Sequence, residues 1–339
     1  KEEEFPATNV YTHVASSAEP LTENNRKSMT ANVKLAAYNT LLSQDKNCSK
    51  FSNDQQIFNF ASDDVSKNAA TKIPGRLFKP LSNYMKSIGQ ISSGRIEGTC
   101  WLVTANLVMT NHHVYRMFMK ERKDFGNSKL PIIVSFDYLY AGKRNHAVNI
   151  EVDDEWDPSM QFESSQLDYK FLRLKEDERI RGREPLGPIV RSRPLQEGLV
   201  IIVGHPANSE IYQETCVVVS SYLWRQKLGE RGKKLLGIPR HERVSIGLNM
   251  TNNDLLRCNQ ACLPYDTTLF SGASGSPVFD LNGNIVAMHT QGYTLDDGKR
   301  TFPLMEFGVQ LSAICEDMRR CHVVEEYFPN HEVREMDTD

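Results

Sequence analysis

From Leu77 onward the chain alternates short apolar, β-branched runs with clusters of Gly, Pro, Asn and Asp. Such runs read as strands and such clusters as turns. The pattern predicts strands at Ser87–Ile91, Gly98–Val103, Leu107–Thr110, Ile132–Phe136, Val148–Val152 and Tyr169–Leu174. A second set is predicted at Leu199–Val203, Glu214–Ser220, Val244–Leu248, Ser276–Phe279, Ile285–Met288 and Phe307–Val309. Many short strands with turn punctuation predict an all-β barrel or sandwich. A helix is expected to close the domain, with Ser312 as N-cap and Ile314, Met318 and Cys321 on one face.

Both ends differ from this pattern. Residues 1–76 are rich in Asn, Ser, Lys, Asp and Glu. Within them Met29, Val33 and Leu41 recur near the helical period, which predicts a helix over Ser28–Ser43. The rest of this extension reads as loop or disorder. The helix is a candidate segment for homodimerisation, since two-fold pairing is the commonest assembly. Ile73-Pro74-Gly75 marks the boundary, the barrel domain is expected over 77–322, and residues 323–339 read as an acidic, frayed tail.

Composition narrows the class. A hydrophobic content of 40% and a charged content of 24% suit a globular protein with a sizeable core. The net charge of −3 gives no overall attraction to nucleic acid or anionic lipid, and no apolar run is long enough to span a bilayer. Basic residues do gather between Arg225 and Arg243, and a solvated face is the expected reading. The sharper one is a weak contact with nucleic acid or an acidic partner. Seven scattered cysteines point to free thiols in a reducing compartment. Cys258 and Cys262 have ligand-like spacing, but no second pair completes a zinc site, so no metal and no cofactor is expected. The start, Lys1-Glu2-Glu3-Glu4-Phe5, is not a signal peptide and lacks an initiator Met, so a piece of a longer protein is expected.

Candidate chemistry centres on Gly272-Ala273-Ser274-Gly275-Ser276-Pro277. A serine hydroxyl is a weak nucleophile. It needs an exposed turn, N–H groups aimed at the developing oxyanion, and a nearby base. Flanking glycines permit that turn. Ser274 is therefore the candidate nucleophile, with the N–H groups of Gly272 and Ser274 as oxyanion donors. A base is offered by His112 or His113, at the end of a predicted strand. A carboxylate must orient the base. Asp153, Asp154, Asp157 and Asp168 are available, but only Asp168 opens a strongly apolar run, Asp168-Tyr-Lys-Phe-Leu-Arg-Leu174, which would hold it buried.

These three stretches, in the order His, Asp, Ser, resemble the chymotrypsin-like serine proteases. Thr110-Asn-His-His-Val114 is similar to their Thr-Asn-x-His-Val motif, which makes His113 the base. Asp168-Tyr-Lys-Phe-Leu resembles the acid strand. Gly272-Ala-Ser-Gly-Ser-Pro277 resembles Gly-Asp-Ser-Gly-Gly-Pro, with Ala273 in place of the acid used in zymogen activation. Val114 stands where secreted members carry a cysteine. Leu199-Val-Ile-Ile-Val-Gly-His-Pro206 is similar to the strand that opens the second barrel. The resemblance implies a mostly β, chymotrypsin-like double β-barrel over about 77–322, acting on protein or peptide substrates.

The wording of the motifs is more similar still to the family with sequence similarity 111. That implies a nuclear location, a role around replication and chromatin, and self-cleavage. In this fold the residue six before the nucleophile lies at the base of the P1 pocket. Here it is Thr268, uncharged, which argues against Lys or Arg. His289, Thr290 and Gly292 are expected to line the pocket, with Gly292 leaving room for a ring. An aromatic P1 is expected over Gln, which His289 would favour by likeness to viral cysteine proteases of this fold.

Overall fold

Alternation along each strand sends side chains to two different cores, and this organises the molecule. The computed structural model describes residues 73–124, 126, 130–156, 162–206, 209–220, 222–228, 245–248, 261–266, 273–296 and 301–332. The first sheet contains β1 (Ile88–Ser93), β2 (Ile96–Leu102), β3 (Leu107–Thr110), β4 (Ile133–Phe136), β5 (Val148–Glu151), β6 (Glu163–Ser164) and β7 (Tyr169–Arg173). Its order is β5-β4-β1-β2-β3-β7-β6. An antiparallel bridge between Val152 and Leu174 joins the β5 edge to β7, closing six strands into a barrel. The second sheet contains β8 (Leu199–Gly204), β9 (Tyr212–Val218), β10 (Ser245–Leu248), β11 (Cys262–Asp266), β12 (Pro277–Phe279), β13 (Ile285–Asp296) and β14 (Thr301–Gln310). Its order is β10-β13-β12-β8-β9-β11-β14, and β13 also pairs with β14, so it closes too. This is the expected mostly β double-barrel class.

Residues facing inward fill each barrel. Ile91, Cys100, Leu102, Val108, Val134, Phe136, Leu172 and Leu174 pack the first. Val200, Ile202, Cys216, Leu263, Tyr265, Val278 and Ala287 pack the second. Their outward-facing neighbours are buried as well. Trp101, Met109, Phe171, Ile201, Val203, Phe279 and Phe307 share a third core that joins the barrels. Each fully buried large side chain there contributes roughly 2–3 kcal/mol by removal of apolar area from water. Burial on both faces explains why these strands read as continuous apolar runs.

Among the described residues there are four α-helices. α1 (Phe78–Tyr84) precedes the first strand, buries Leu81 and stacks Tyr84 on Phe279 at 5.9 Å between centroids. α2 (His112–Asp124) follows β3 where the sequence suggested only a strand end. α3 (Leu311–Arg320) is the expected closing helix, but its N-cap is Gln310, without a side-chain cap, and not Ser312. Ile314 and Met318 are buried on it, while Cys321 caps its C-terminus and is exposed. The chain folds on past residue 322. α4 (Val324–Tyr327) is followed by Phe328, and Val324, Tyr327 and Phe328 sit in the shared core. Tyr327 packs on Phe171 at 5.4 Å. The frayed tail expected from 323 is thus folded as far as 332. At the other end Gly75–Leu77 forms a helical turn with Leu77 buried. The predicted helix over 28–43 and most of the Arg225–Arg243 loop lie outside the described residues. Arg225 itself lies over the Trp224 ring at 4.9 Å. No helix among the described residues is long and apolar enough to cross a membrane.

Candidate active site

β3 pairs with β7 so that Thr110 stands opposite Lys170. That register brings the residues just beyond each strand, at the start of α2 and at Asp168, side by side. The first N–H groups of a helix have no partner within it and attract an anion. Asp168 supplies one: its Oδ1 accepts from the His113 backbone N–H at 2.9 Å. Its Oδ2 lies 2.7 Å from His113 Nδ1 and also accepts from the Thr290 hydroxyl. The Asn111 amide donates to the Asp168 carbonyl at 3.0 Å. Asp168 is buried and has a φ of 54°, a left-handed conformation that Asp tolerates. With the carboxylate on Nδ1, the proton belongs there and Nε2 is left as the basic nitrogen.

His112 is directed elsewhere. Its Nε2 lies 3.9 Å from Glu163, which also holds the buried Lys170 at 2.7 Å. Burial lowers the His112 pKa, while Glu163 acts against that shift. The candidate acids Asp153 and Asp154 are engaged elsewhere: Asp154 pairs with Arg122, and Asp153 Oδ1 accepts from the Glu155 N–H. Asp157 lies outside the described residues.

The serine turn is clamped from both barrels. Thr99 of β2 donates its N–H to the Ser274 carbonyl at 2.8 Å, and Gly275 N–H donates to the His289 carbonyl at 2.8 Å. Ser276 closes the turn onto the Ala273 carbonyl through its N–H at 3.0 Å and its hydroxyl at 2.6 Å. Gly275 has a φ of 92°. The Ser274 hydroxyl donates to the Thr290 carbonyl at 2.9 Å. Among the described residues no hydrogen bond joins it to His113. Gly272 and Thr268 lie outside the described residues.

β13 carries the remaining expected residues. Thr290 is fully buried and its hydroxyl donates to Asp168. His289 is buried with Nδ1 2.7 Å from the Tyr265 hydroxyl. The space that Gly292 was expected to leave for a ring holds the carboxyl group of Glu306. Along its other edge β13 pairs with β12 as far as Met288 and with β10 from Tyr293. Between these pairings Thr290 lies beside Ser274, whose hydroxyl its carbonyl accepts.

Burial sets the charges here. It holds His289 down to about 3, with His113 adding to the effect, and His205 down to about 4. Both groups bind a proton in the unfolded chain below about pH 6.5 and not in the fold. Stability is therefore present above that pH and lost as pH falls toward 4. The urea midpoint should drop between pH 7 and pH 5, and a His205→Gln variant should show a shallower drop. Glu306 works in the opposite sense. Burial, then Glu214, raises it to about 8, so its contribution is complete below the ordinary carboxyl range and lost as pH rises to about 8.

Two closed six-stranded barrels, with an aspartate-bound histidine and a serine turn meeting at their seam, form the architecture of a chymotrypsin-like serine endopeptidase domain. The trypsin-like peptidase domain family matches residues 98–288, and the chain belongs to that family. It is 28% identical over 288 residues to the serine protease FAM111A of Mus musculus, and 27% identical over 286 residues to the serine protease FAM111B of Homo sapiens. Each match covers 78% of this chain but only 44% and 36% of the relatives, so the chain spans less than half of their lengths. These identities do not separate one relative from the other. Among solved structures, the serine endoprotease from Yersinia pestis aligns with a TM-score of 0.44 and 13% identity, covering 74% of this chain and 67% of that one.

Proposed function

We propose that the domain hydrolyses internal peptide bonds with Ser274 as nucleophile, His113 as general base and Asp168 as its orienting acid. One observation carries this reading: a buried carboxylate takes both the Nδ1 side and the backbone N–H of His113 at the seam where the Ser274 turn is clamped. A peptide lies along β13 beside Ser274 as an extended strand. Its backbone N–H takes over the Thr290 carbonyl, and the Ser274 hydroxyl, released from that bond, turns to His113 Nε2. His113 removes the proton as Oγ attacks the carbonyl carbon. The oxyanion is held by the N–H groups of Ser274 and Gly272, and His113 then protonates the leaving amine. Water repeats the sequence on the acyl-enzyme with His113 again as base.

The P1 preference we propose is aromatic, resting on the resemblance and on an uncharged slot at neutral pH. Gln at P1 is the second reading, favoured by the Tyr265 hydroxyl on His289 Nδ1, which fixes the imidazole through that nitrogen. By resemblance the substrates include chromatin- or replication-associated proteins in the nucleus and the chain itself. A cleavage profile on a peptide library, with Ser274→Ala as control, should show enrichment of Phe or Tyr before the cut. Enrichment of Gln that His289→Ala abolishes would overturn the aromatic assignment. A protease fold kept only as a binding scaffold would cleave nothing.

A further inference from the structure

We propose that Asn111 is a positioning residue for the reaction: by donating its amide to the Asp168 carbonyl, it holds the backbone that aims the acid at His113. This rests on reading His113, Asp168 and Ser274 as the catalytic set. Asn111 immediately precedes α2, and its carbonyl accepts the Tyr115 N–H of the first turn at 3.3 Å. An asparagine in that place ordinarily turns its side-chain oxygen onto the N–H two or three residues ahead. Here the N–H two ahead, that of His113, goes to Asp168 Oδ1 at 2.9 Å. Asn111 instead gives its amide to the Asp168 carbonyl at 3.0 Å. The two residues exchange duties. The acid caps the helix that carries the base, and the residue placed to cap that helix holds the acid.

The exchange leaves one end of Asn111 unpaired. The residue is fully buried, and its Oδ1 accepts no hydrogen bond among the described residues. An amide kept for stability alone would have both ends satisfied, because a buried polar atom without a partner costs free energy. What the amide holds is a backbone under strain. Asp168 has a φ of 54°, a conformation that a residue with a Cβ ordinarily avoids. Relaxation to the extended form of the strand it leads into would turn its carbonyl from Asn111 and swing its carboxyl group off His113. The His113 N–H and the Thr290 hydroxyl grip the carboxylate oxygens. Those bonds fix the tip of the side chain, and the Asn111 bond fixes the peptide unit behind it.

The test compares the unaltered protein with Asn111→Ala and with Asn111→Leu, which restores volume but no donor. In both variants kcat should fall roughly 10- to 100-fold, up to the loss expected when a reacting group is displaced by about 1 Å. KM should be unchanged, since the aim of the acid matters only in the transition state. Labelling of Ser274 by a fluorophosphonate should slow to a similar degree. The His113 Nδ1 proton, which a carboxylate partner moves far downfield in the NMR spectrum, should shift or vanish in both. Ile150→Val trims a buried side chain of the same barrel on β5 and controls for lost stability. It should keep both kcat and the resonance. A smaller fall of kcat in either folded variant, rescue by Leu, or a resonance unmoved by loss of the amide overturns the assignment. If the unaltered protein cleaves no peptide and Ser274 takes no label in folded protein, the peptidase reading fails first and this inference falls with it.

Discussion

Replacing Ser274 with alanine should lower turnover by about 10⁶-fold, to what binding and the oxyanion donors alone provide. His113→Ala should do nearly the same, because the two residues act as one unit and their losses do not add. Asp168→Asn should lower kcat by roughly 10⁴-fold, since an amide on Nδ1 favours the wrong tautomer. His112→Ala should be mild, because His112 turns to Glu163 and not to Asp168. Initial rates on one peptide, with urea midpoints to confirm folding, check all four. If His112→Ala abolished turnover and His113→Ala did not, the geometry built on Asp168 would be wrong.

Gly275→Ala should be nearly as damaging by a different route. At a φ of 92° any side chain is strained. A methyl group would also strike the Thr99 carbonyl oxygen and come within 2.7 Å of the Thr110 hydroxyl. Neither can yield easily: Thr110 Oγ1 donates to that carbonyl at 2.8 Å, and the Thr99 N–H holds the Ser274 carbonyl. The turn can escape only by moving away from the first barrel, which carries His113. A displacement of about 1 Å at a reacting group lowers turnover by roughly 100-fold, and the strain should remove about 1–3 kcal/mol of stability. Gly283→Ala is the control. Its φ is also positive, at 84°, so alanine is strained there too and should lose about 1–2 kcal/mol, but its nearest neighbour would be Leu77 Cδ2 at 3.5 Å, so activity should stay intact. Equal losses of activity in the two variants would refute the clamp.

Much of this architecture could be read from the chain because it depends on local pattern. Strand positions follow from apolar runs, and the Ser274 turn from its glycines. α2 was missed because Asn111-His112-His113-Val114-Tyr115 reads as the end of β3. Its helical signal, Val114 and Phe118 one turn apart, is short and interrupted by charges. β13 and β14 extend well past their apolar cores, since pairing with each other and with β10 sustains polar residues there. Val324, Tyr327 and Phe328 were hidden among acids, and only the shared core makes sense of them. The roles of Thr290 and Glu306 depend on long-range register. Thr290 reaches Asp168 across 122 residues, and nothing local in Met305-Glu306-Phe307 indicates that Gly292 stands opposite.

The central claim is that Ser274 is an activated nucleophile. Labelling of the folded protein with a fluorophosphonate, followed by mapping of the adduct by mass spectrometry, tests it most directly. The expected result is a single adduct on Ser274, greatly reduced in His113→Ala. An absent adduct in protein that still unfolds cooperatively, or labelling of Ser274 unaffected by loss of His113, would contradict it.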